Sequence, residues 1–411
     1  VITGAPKLPP SKALQAALRK TTERLANELA RPTSIAPEWS DFEWQMARAV
    51  AAIHGVSPLL SGTLRWRGPP EWNDFLVQQK AQTAARHTRI EQLLRLIHAS
   101  ASSENLCLVA LKGAELHAMG LYAPGERPMA DVDLLVRAMD KERTTRLLES
   151  LGFHAYFTSQ RHTAFKRHDY AVNWALGEHA DNGLKIELHE HIREALPLDT
   201  ADVTQWVFPT PGRPGLNPYQ SRASLMSHLL LHAAGNMANR ALRLLQLHDL
   251  ALLSARMTDA DWDEVLRQTA IDQGHRWALP PLHLLNRYYR SAVPARILTA
   301  LKAGCPRLVR GIVLRQRLSD VSFSRLRIDA FPGIEWSRSV AEMARFVMNR
   351  VRPNGEALAI REHTTQTQLA ATATRWHHLS QSRRVLQWLI SNPPRSFTMV
   401  AVRMALGETR P

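Results

Sequence analysis

The alternation of apolar and polar positions changes character along the chain. Residues 11–31 and 40–54 carry apolar side chains at helical spacing, Leu14, Ala17 and Leu18 in the first and Phe42, Met46, Val50 and Ile53 in the second. This predicts two amphipathic helices, with Ser11 placed to cap the first. Residues 62–70 break the period. Residues 72–99 then read as one long amphipathic helix whose buried side is Leu76, Leu93, Leu94, Leu96 and Ile97. The run 106–111 is apolar throughout, as in a strand covered on both faces. Gly113 opens a second helical stretch through Leu116, Met119 and Tyr122. Residues 131–136 read as another strand, and because successive side chains alternate faces, Asp131 and Asp133 must point the same way.

A helix follows from Asp140 or Lys141 to Leu151, stopped by Gly152. Strand character recurs at 153–157, 164–167, 170–176 and 184–189. Glu187 and His189 share a face of the last, joined by His191 if the strand continues. Residues 208–218 are rich in Pro and Gly, the composition of a turn-filled connector. Beyond it the pattern is helical, at 224–234, 238–255, 261–274 and 279–291, with Thr258 and Asp261 set to cap the third of these. The predicted class is therefore α+β. A small mixed-sheet core at 101–207 is flanked by a helical N-terminal segment, 1–100, and a large helical C-terminal region, 219–411. Trp174, Trp262, Trp277, Trp336, Trp376 and Trp388 follow no base-stacking spacing and read as core or interface anchors.

The chemistry concentrates in the two strands. Two carboxylates held side by side repel, and a divalent metal with oxygen ligands relieves that repulsion. Glu187 supplies a third carboxylate, so Asp131, Asp133 and Glu187 are the candidate metal and catalytic set. The Lys112-Gly113 turn, between a strand and a helix, presents backbone N–H groups and a positive charge suited to phosphate. Arg127, four residues before Asp131, offers a guanidinium fork of the kind that grips phosphate. His228 and His232 lie on one helical face, without the intervening Glu of a zinc protease motif, so zinc is not favoured.

Lys112-Gly113, Arg127, Asp131-x-Asp133 and Glu187-Leu-His189, in that order, resemble the uncharacterised nucleotidyltransferase family of the polymerase-beta-like superfamily, often encoded beside genes for ribosomally made peptides. The likeness extends over roughly residues 40–360. It takes in His228 and His232, and Arg243 to Asp249. It implies a Mg²⁺-dependent or Mn²⁺-dependent transfer of a nucleoside monophosphate from a nucleoside triphosphate. In that transfer Asp131, Asp133 and Glu187 hold metal, while Lys112, Gly113, Arg127, His189, His232, Arg243 and Asp249 contact nucleotide. Gly113 is followed by Ala114 where the wider superfamily has Ser, so the hydroxyl that usually meets the terminal phosphates is missing. The acceptor stays open among a peptide, a protein side chain, a small hydroxyl compound and an RNA end such as that of tRNA. A non-catalytic nucleotide sensor is the alternative outside enzymes.

Composition narrows this only slightly. The 411 residues, 45% hydrophobic and 22% charged, exclude wholesale disorder. Two isolated cysteines, Cys107 and Cys305, suggest neither a zinc site nor a disulfide framework, and a cytoplasmic location is the default. No apolar run is long enough to span a membrane. The net charge is +15, and residues 301–411 hold 18 Lys or Arg against 7 Asp or Glu, a basic surface able to attract phosphates.

Overall fold

The fold was analysed in a computed structural model, which describes residues 8–408 apart from 160, 174, 197–198, 272–273, 354, 356–357, 359–378 and 391. The N-terminal helices are α1 (Ser11–Ala30), α2 (Asp41–Ile53), α3 (Ser57–Thr63) and α4 (Pro70–Ser103). Pro10 stands at the start of α1 and Ser11 is its first helical residue, so the expected Ser11 cap is not made. The Ser40 hydroxyl and the Glu43 carboxylate instead cap α2 reciprocally. Of the expected buried side of the 34-residue α4, Leu76, Leu93 and Ile97 are buried, Leu94 is half-buried, and Leu96 faces solvent.

Next come β1 (Cys107–Ala110), α5 (Gly113–Ala118), β2 (Val132–Val136), α6 (Lys141–Ser150), β3 (Phe153–Thr158), β4 (Thr163–Arg167) and β5 (Lys185–His189). Gly152, at φ 85°, ends α6 as expected. A separate hairpin, β6 (Arg193–Leu196) and β7 (Asp199–Asp202), leads through α7 (Thr204–Val207) to β8 (Gly215–Asn217). The main sheet runs β3-β4-β5-β2-β1-β8. β2 pairs with β5, and β1 with β8, in parallel, and the other pairs are antiparallel, so the sheet is mixed.

Two expectations shift here. The Pro/Gly connector contributes the edge strand β8, too short at three residues to leave a pattern. The strand expected at 170–176 is absent among the described residues, and its Trp174 lies outside them. That backbone bonds across its own loop instead, Gly183 N–H to the Ala171 carbonyl and Asn173 N–H to the Asn182 side chain.

The C-terminal helices are α8 (Arg222–Ala238), α9 (Leu244–Ser254), α10 (Asp259–Ala270), α11 (His275–Tyr288), α12 (Ala295–Gly304), α13 (Arg307–Val313), α14 (Leu318–Val321), α15 (Val340–Val351), α16 (Gln381–Ile390) and α17 (Ser396–Ala405). Thr258 and Asp261 cap α10 as expected. Helix α9 starts later than its periodicity suggested, because Arg240 has a positive φ of 57° and Leu242 bridges to Ser322. Trp262, Trp277 and Trp336 are buried, Trp388 lies under the Arg350 guanidinium, and Trp376 falls outside the described residues. Among the described residues no helix is long and apolar enough to cross a membrane.

One apolar core joins α1 and α2 to the C-terminal helices, and a second fills the space between α4, α6 and the sheet. The three stretches of the sequence are thus packed with the first against the third. His54, fully buried, ties that junction. Its Nδ1 accepts from Leu244 N–H at 2.8 Å, and its Nε2 meets Ser324 Oγ at 2.9 Å. Ser324 Oγ meets Thr22 Oγ1, which donates to the Leu18 carbonyl. Every partner is satisfied only if the imidazole is neutral. Burial, reinforced by the Arg243 charge, lowers His54 from 6.5 to about 3. Between those values the unfolded chain binds the extra proton, so stability is complete above pH 6.5 and is lost as pH falls toward 3. In urea titrations across that window, His54→Gln should flatten the stability slope by about 1.4 kcal/mol per pH unit relative to wild type. An unchanged slope would mean that His54 protonates freely in the folded protein.

Candidate active site

The parallel register sets Asp133 beside Glu187 and Leu135 beside His189, which brings the two motif strands edge to edge. Asp131 immediately precedes β2, on the same face as Asp133 by strand alternation. His189 Nε2 lies 3.0 Å from Asp133 Oδ1 and 3.7 Å from Glu187 Oε2. Lys112 Nζ lies 3.2 Å from both Asp133 oxygens. Burial alone would raise Asp133, but Lys112 and His189 hold it well below the usual carboxylate range. Asp131 behaves oppositely: burial, then the charges of Asp133 and Glu187, push it up to about 7. One carboxylate of the set therefore lacks a sufficient counter-charge.

A cavity of about 330 Å³ opens at these groups. Asp131 and Glu187 line it with Arg161, His162, Tyr156, Tyr170 and Lys185. Lys185 lies over the Tyr170 ring. The larger concavity, about 520 Å³, shares none of these residues and is walled by Arg240, Arg307, Arg315 and Arg325.

The Lys112 turn is built differently from its sequence expectation. Lys112 adopts φ 48° and ψ −113°, costly for a residue with a side chain. Its N–H is taken by Tyr219 Oη at 3.1 Å, and the Ala114 N–H by the Leu111 carbonyl, so these two donors are not free for phosphate. Tyr219 Oη in turn meets His228 Nδ1 at 2.8 Å, which makes His228 a buried support of the turn. A Cβ on Gly113 would collide with Arg127 Nη1 and Met129 Sδ, which accounts for glycine there.

Arg127 is fully engaged. Its Nε and Nη2 donate to the two oxygens of Asp249, each at 2.8 Å, and Tyr122 Oη donates to Asp249 Oδ1 at 2.6 Å. Asp249 is thus the partner of Arg127, whereas Arg243 packs over Phe323 and Phe397. The Asp131 charge still reaches Arg243. His232 Nδ1 meets Glu194 Oε1 at 2.9 Å, and Arg161 meets the same oxygen. His191 lies beyond the end of β5, 3.8 Å from Asp202.

Sequence reasoning missed Arg86, His162, Glu194 and Tyr219. Arg86 is the most consequential. Its buried guanidinium donates to the carbonyls of Met129 and Ala130, just before β2, and of Asn182 and Gly183, just before β5. Glu178 sits 3.1 Å from its Nε. Gln79, Gln82 and Arg89, on neighbouring turns of α4, bind the backbone at Glu178, Ala180 and Asn182. One face of α4 thereby fixes the approach to both motif strands. The available signal was polar side chains recurring at helical spacing on what otherwise reads as a solvent face.

Lysine at position 86 has no planar fork and cannot serve four carbonyls. Arg86→Lys is expected to cost on the order of 3 kcal/mol by urea unfolding. A loss below about 0.5 kcal/mol would show that the strut is dispensable.

A mixed sheet thus carries Asp133 on one central strand, with Asp131 just before it, and Glu187 with His189 on its parallel neighbour, beside the Lys112-Gly113 turn. The family described as "Uncharacterised nucleotidyltransferase" matches residues 40–289, more than half of the chain, and the protein belongs to it. No curated protein and no solved structure matches the chain.

Proposed function

We propose that the protein is a metal-dependent nucleotidyltransferase, which joins the α-phosphorus of a nucleoside triphosphate to an acceptor hydroxyl and releases pyrophosphate. The observation that supports this reading is that Asp131 and Glu187 line one cavity, with Asp133 paired beside Glu187, and that Asp131 is pushed up for want of positive charge. That donor set, all carboxylate oxygen, fits a hard divalent cation such as Mg²⁺ or Mn²⁺. When bound, the metal would neutralise phosphate charge and polarise the reacting oxygens.

The chain's own residues supply the rest. Lys112 places an ammonium beside the carboxylates, where it offsets charge on the departing pyrophosphate. Gly113, on the nucleotide side of the carboxylates, leaves room for the Arg127 guanidinium, and Arg127, Tyr122 and Asp249 keep the turn in place. Arg243 adds positive potential on the Asp131 side. Glu187 receives the acceptor proton as the new P–O bond forms. His189 spaces Glu187 from Asp133, and His232 with Glu194 and Arg161 lies toward the acceptor side. Tyr156, Tyr170 and Lys185 give the cavity aromatic and cationic walls suited to a nucleotide or an acceptor side chain.

The acceptor we favour is a hydroxyl of a peptide, a protein or a small compound in the cytoplasm. The arginine-walled concavity favours a second reading in which the acceptor is an RNA end, and there binding should fall steeply with salt. Label from each α-³²P ribonucleotide, followed into peptide, protein, RNA and small-molecule fractions of a lysate, tests the proposal and identifies the acceptor class. Wild-type-specific label in one fraction supports it. Stabilisation by nucleotide with no label in any fraction would instead favour a sensor.

A further inference from the structure

His162 and Glu187, which line the cavity, form with the buried His189 beside them a group whose two imidazoles the Asp-x-Asp logic does not require. His162 immediately precedes β4, and the antiparallel register, Thr163 opposite Leu188 and Ala164 opposite Glu187, places it across from His189. The two imidazole rings lie 5.2 Å apart. Glu187, two residues from His189 on β5, shares its face. His162 Nδ1 lies 3.8 Å and His189 Nε2 3.7 Å from the same Glu187 oxygen, and the three donor atoms all fall within 4.8 Å of one another.

These separations are too long for hydrogen bonds. They are close to the spacing of ligands that share an ion: two atoms each about 2.1 Å from a metal stand roughly 3.4–3.6 Å apart at tetrahedral to trigonal angles. Position is held from outside the group as well. Ser159 Oγ accepts from His162 N–H and Ser159 N–H donates to the His162 carbonyl, which fixes the turn that presents the ring. Lys112 already counters Asp133 at 3.2 Å, so the ammonium does not fill the gap between Glu187 and the imidazoles.

We propose that His162, Glu187 and His189 form a site for a single transition-metal ion of the nitrogen-preferring kind, Zn²⁺ or Co²⁺ over Mg²⁺. The ligand chemistry selects the metal: carboxylates alone suit Mg²⁺, whereas two imidazoles with one carboxylate favour later first-row ions. In the nucleotidyl-transfer reading, this ion would use one Glu187 oxygen and leave the other to take the acceptor proton, while Asp131 with Asp133 would serve the metal that accompanies the triphosphate. Metal binding itself does not depend on that reading.

The test uses the full-length protein stripped with a chelator and titrated with Co²⁺. Wild type should take up one equivalent and develop visible d–d absorption. Zn²⁺ should displace it stoichiometrically, and about a 1,000-fold excess of Mg²⁺ should not. The proton NMR spectrum of the Co²⁺ protein should show two solvent-exchangeable, hyperfine-shifted imidazole N–H resonances, a reading that needs no variant. His162→Ala and His189→Ala should each weaken Co²⁺ binding at least about 10-fold. Absence of visible absorption, free displacement by Mg²⁺, or fewer than two shifted imidazole signals would overturn the proposal. If α-label transfer with Mg²⁺ persists in that case, the His-Glu-His site fails while the nucleotidyltransferase reading stands.

Discussion

Asp133→Asn should reduce nucleotidyl transfer at least about 10³-fold, equivalent to about 4 kcal/mol of transition-state stabilisation. Asp133 is the most constrained member of the carboxylate group. Lys112 reaches both of its oxygens, His189 reaches one, and the parallel pairing fixes it beside Glu187. The amide keeps the shape and loses the charge, so the ammonium of Lys112 and any bound divalent ion lose their common anchor. Asp131→Asn should be similarly inactive for a different reason. Its charge is poorly compensated in the protein alone, as its rise to about 7 indicates, and in the proposed reaction a bound cation would supply the rest. Asp131→Asn should therefore melt no lower than wild type without metal, since one of three mutually repelling carboxylates is gone. Steady-state transfer rates, with melting curves of the same preparations, check both halves. Activity within ten-fold of wild type in either variant would remove that carboxylate from the chemistry.

The second large effect is on stability. Arg127→Ala should lower the free energy of unfolding by about 3–5 kcal/mol, because it strands the buried Asp249 carboxylate with Tyr122 as its one remaining described partner. Replacing both charges, Arg127→Met with Asp249→Leu, should recover more than half of that loss, since two apolar side chains leave no unpaired charge behind. The Lys112-Gly113 turn would still lose its packing against the guanidinium, so the double variant is expected to be stable and poorly active. Urea unfolding of the two singles and the double closes a mutant cycle. Equal losses in the single and double variants would mean that packing of the guanidinium matters more than its charge.

The site was legible where its chemistry lay on local periodicity. Asp131 with Asp133, and Glu187 with His189, each sit two residues apart, so one rule about strand faces sufficed. The α+β class followed from the same switching of periods. Contacts between distant segments were not legible. Asp249 reads on its own helix as a neighbour of Arg243, six residues away, yet it pairs with Arg127, 122 residues away. Arg86 looks like the solvent side of an amphipathic helix because a polar stripe carries no mark of whether water or four backbone carbonyls will satisfy it. His162 sits on a turn before a strand, where no period constrains it, and its isolation in sequence ends only when β4 pairs with β5. Tyr219 follows a three-residue strand that its Pro/Gly surroundings conceal. The tertiary network around the motif was therefore the part that required coordinates.

In nucleotidyl transfer the α-phosphorus, with its nucleoside, moves to the acceptor. The most direct measurement uses one nucleoside triphosphate labelled in parallel at the α and γ positions, with Mg²⁺ and the acceptor fraction. α-Label on the acceptor and γ-label in pyrophosphate are expected in equal amounts, both lost in Asp133→Asn. γ-Label on the acceptor with release of nucleoside diphosphate would show a phosphoryl-transferring kinase and contradict nucleotidyl transfer.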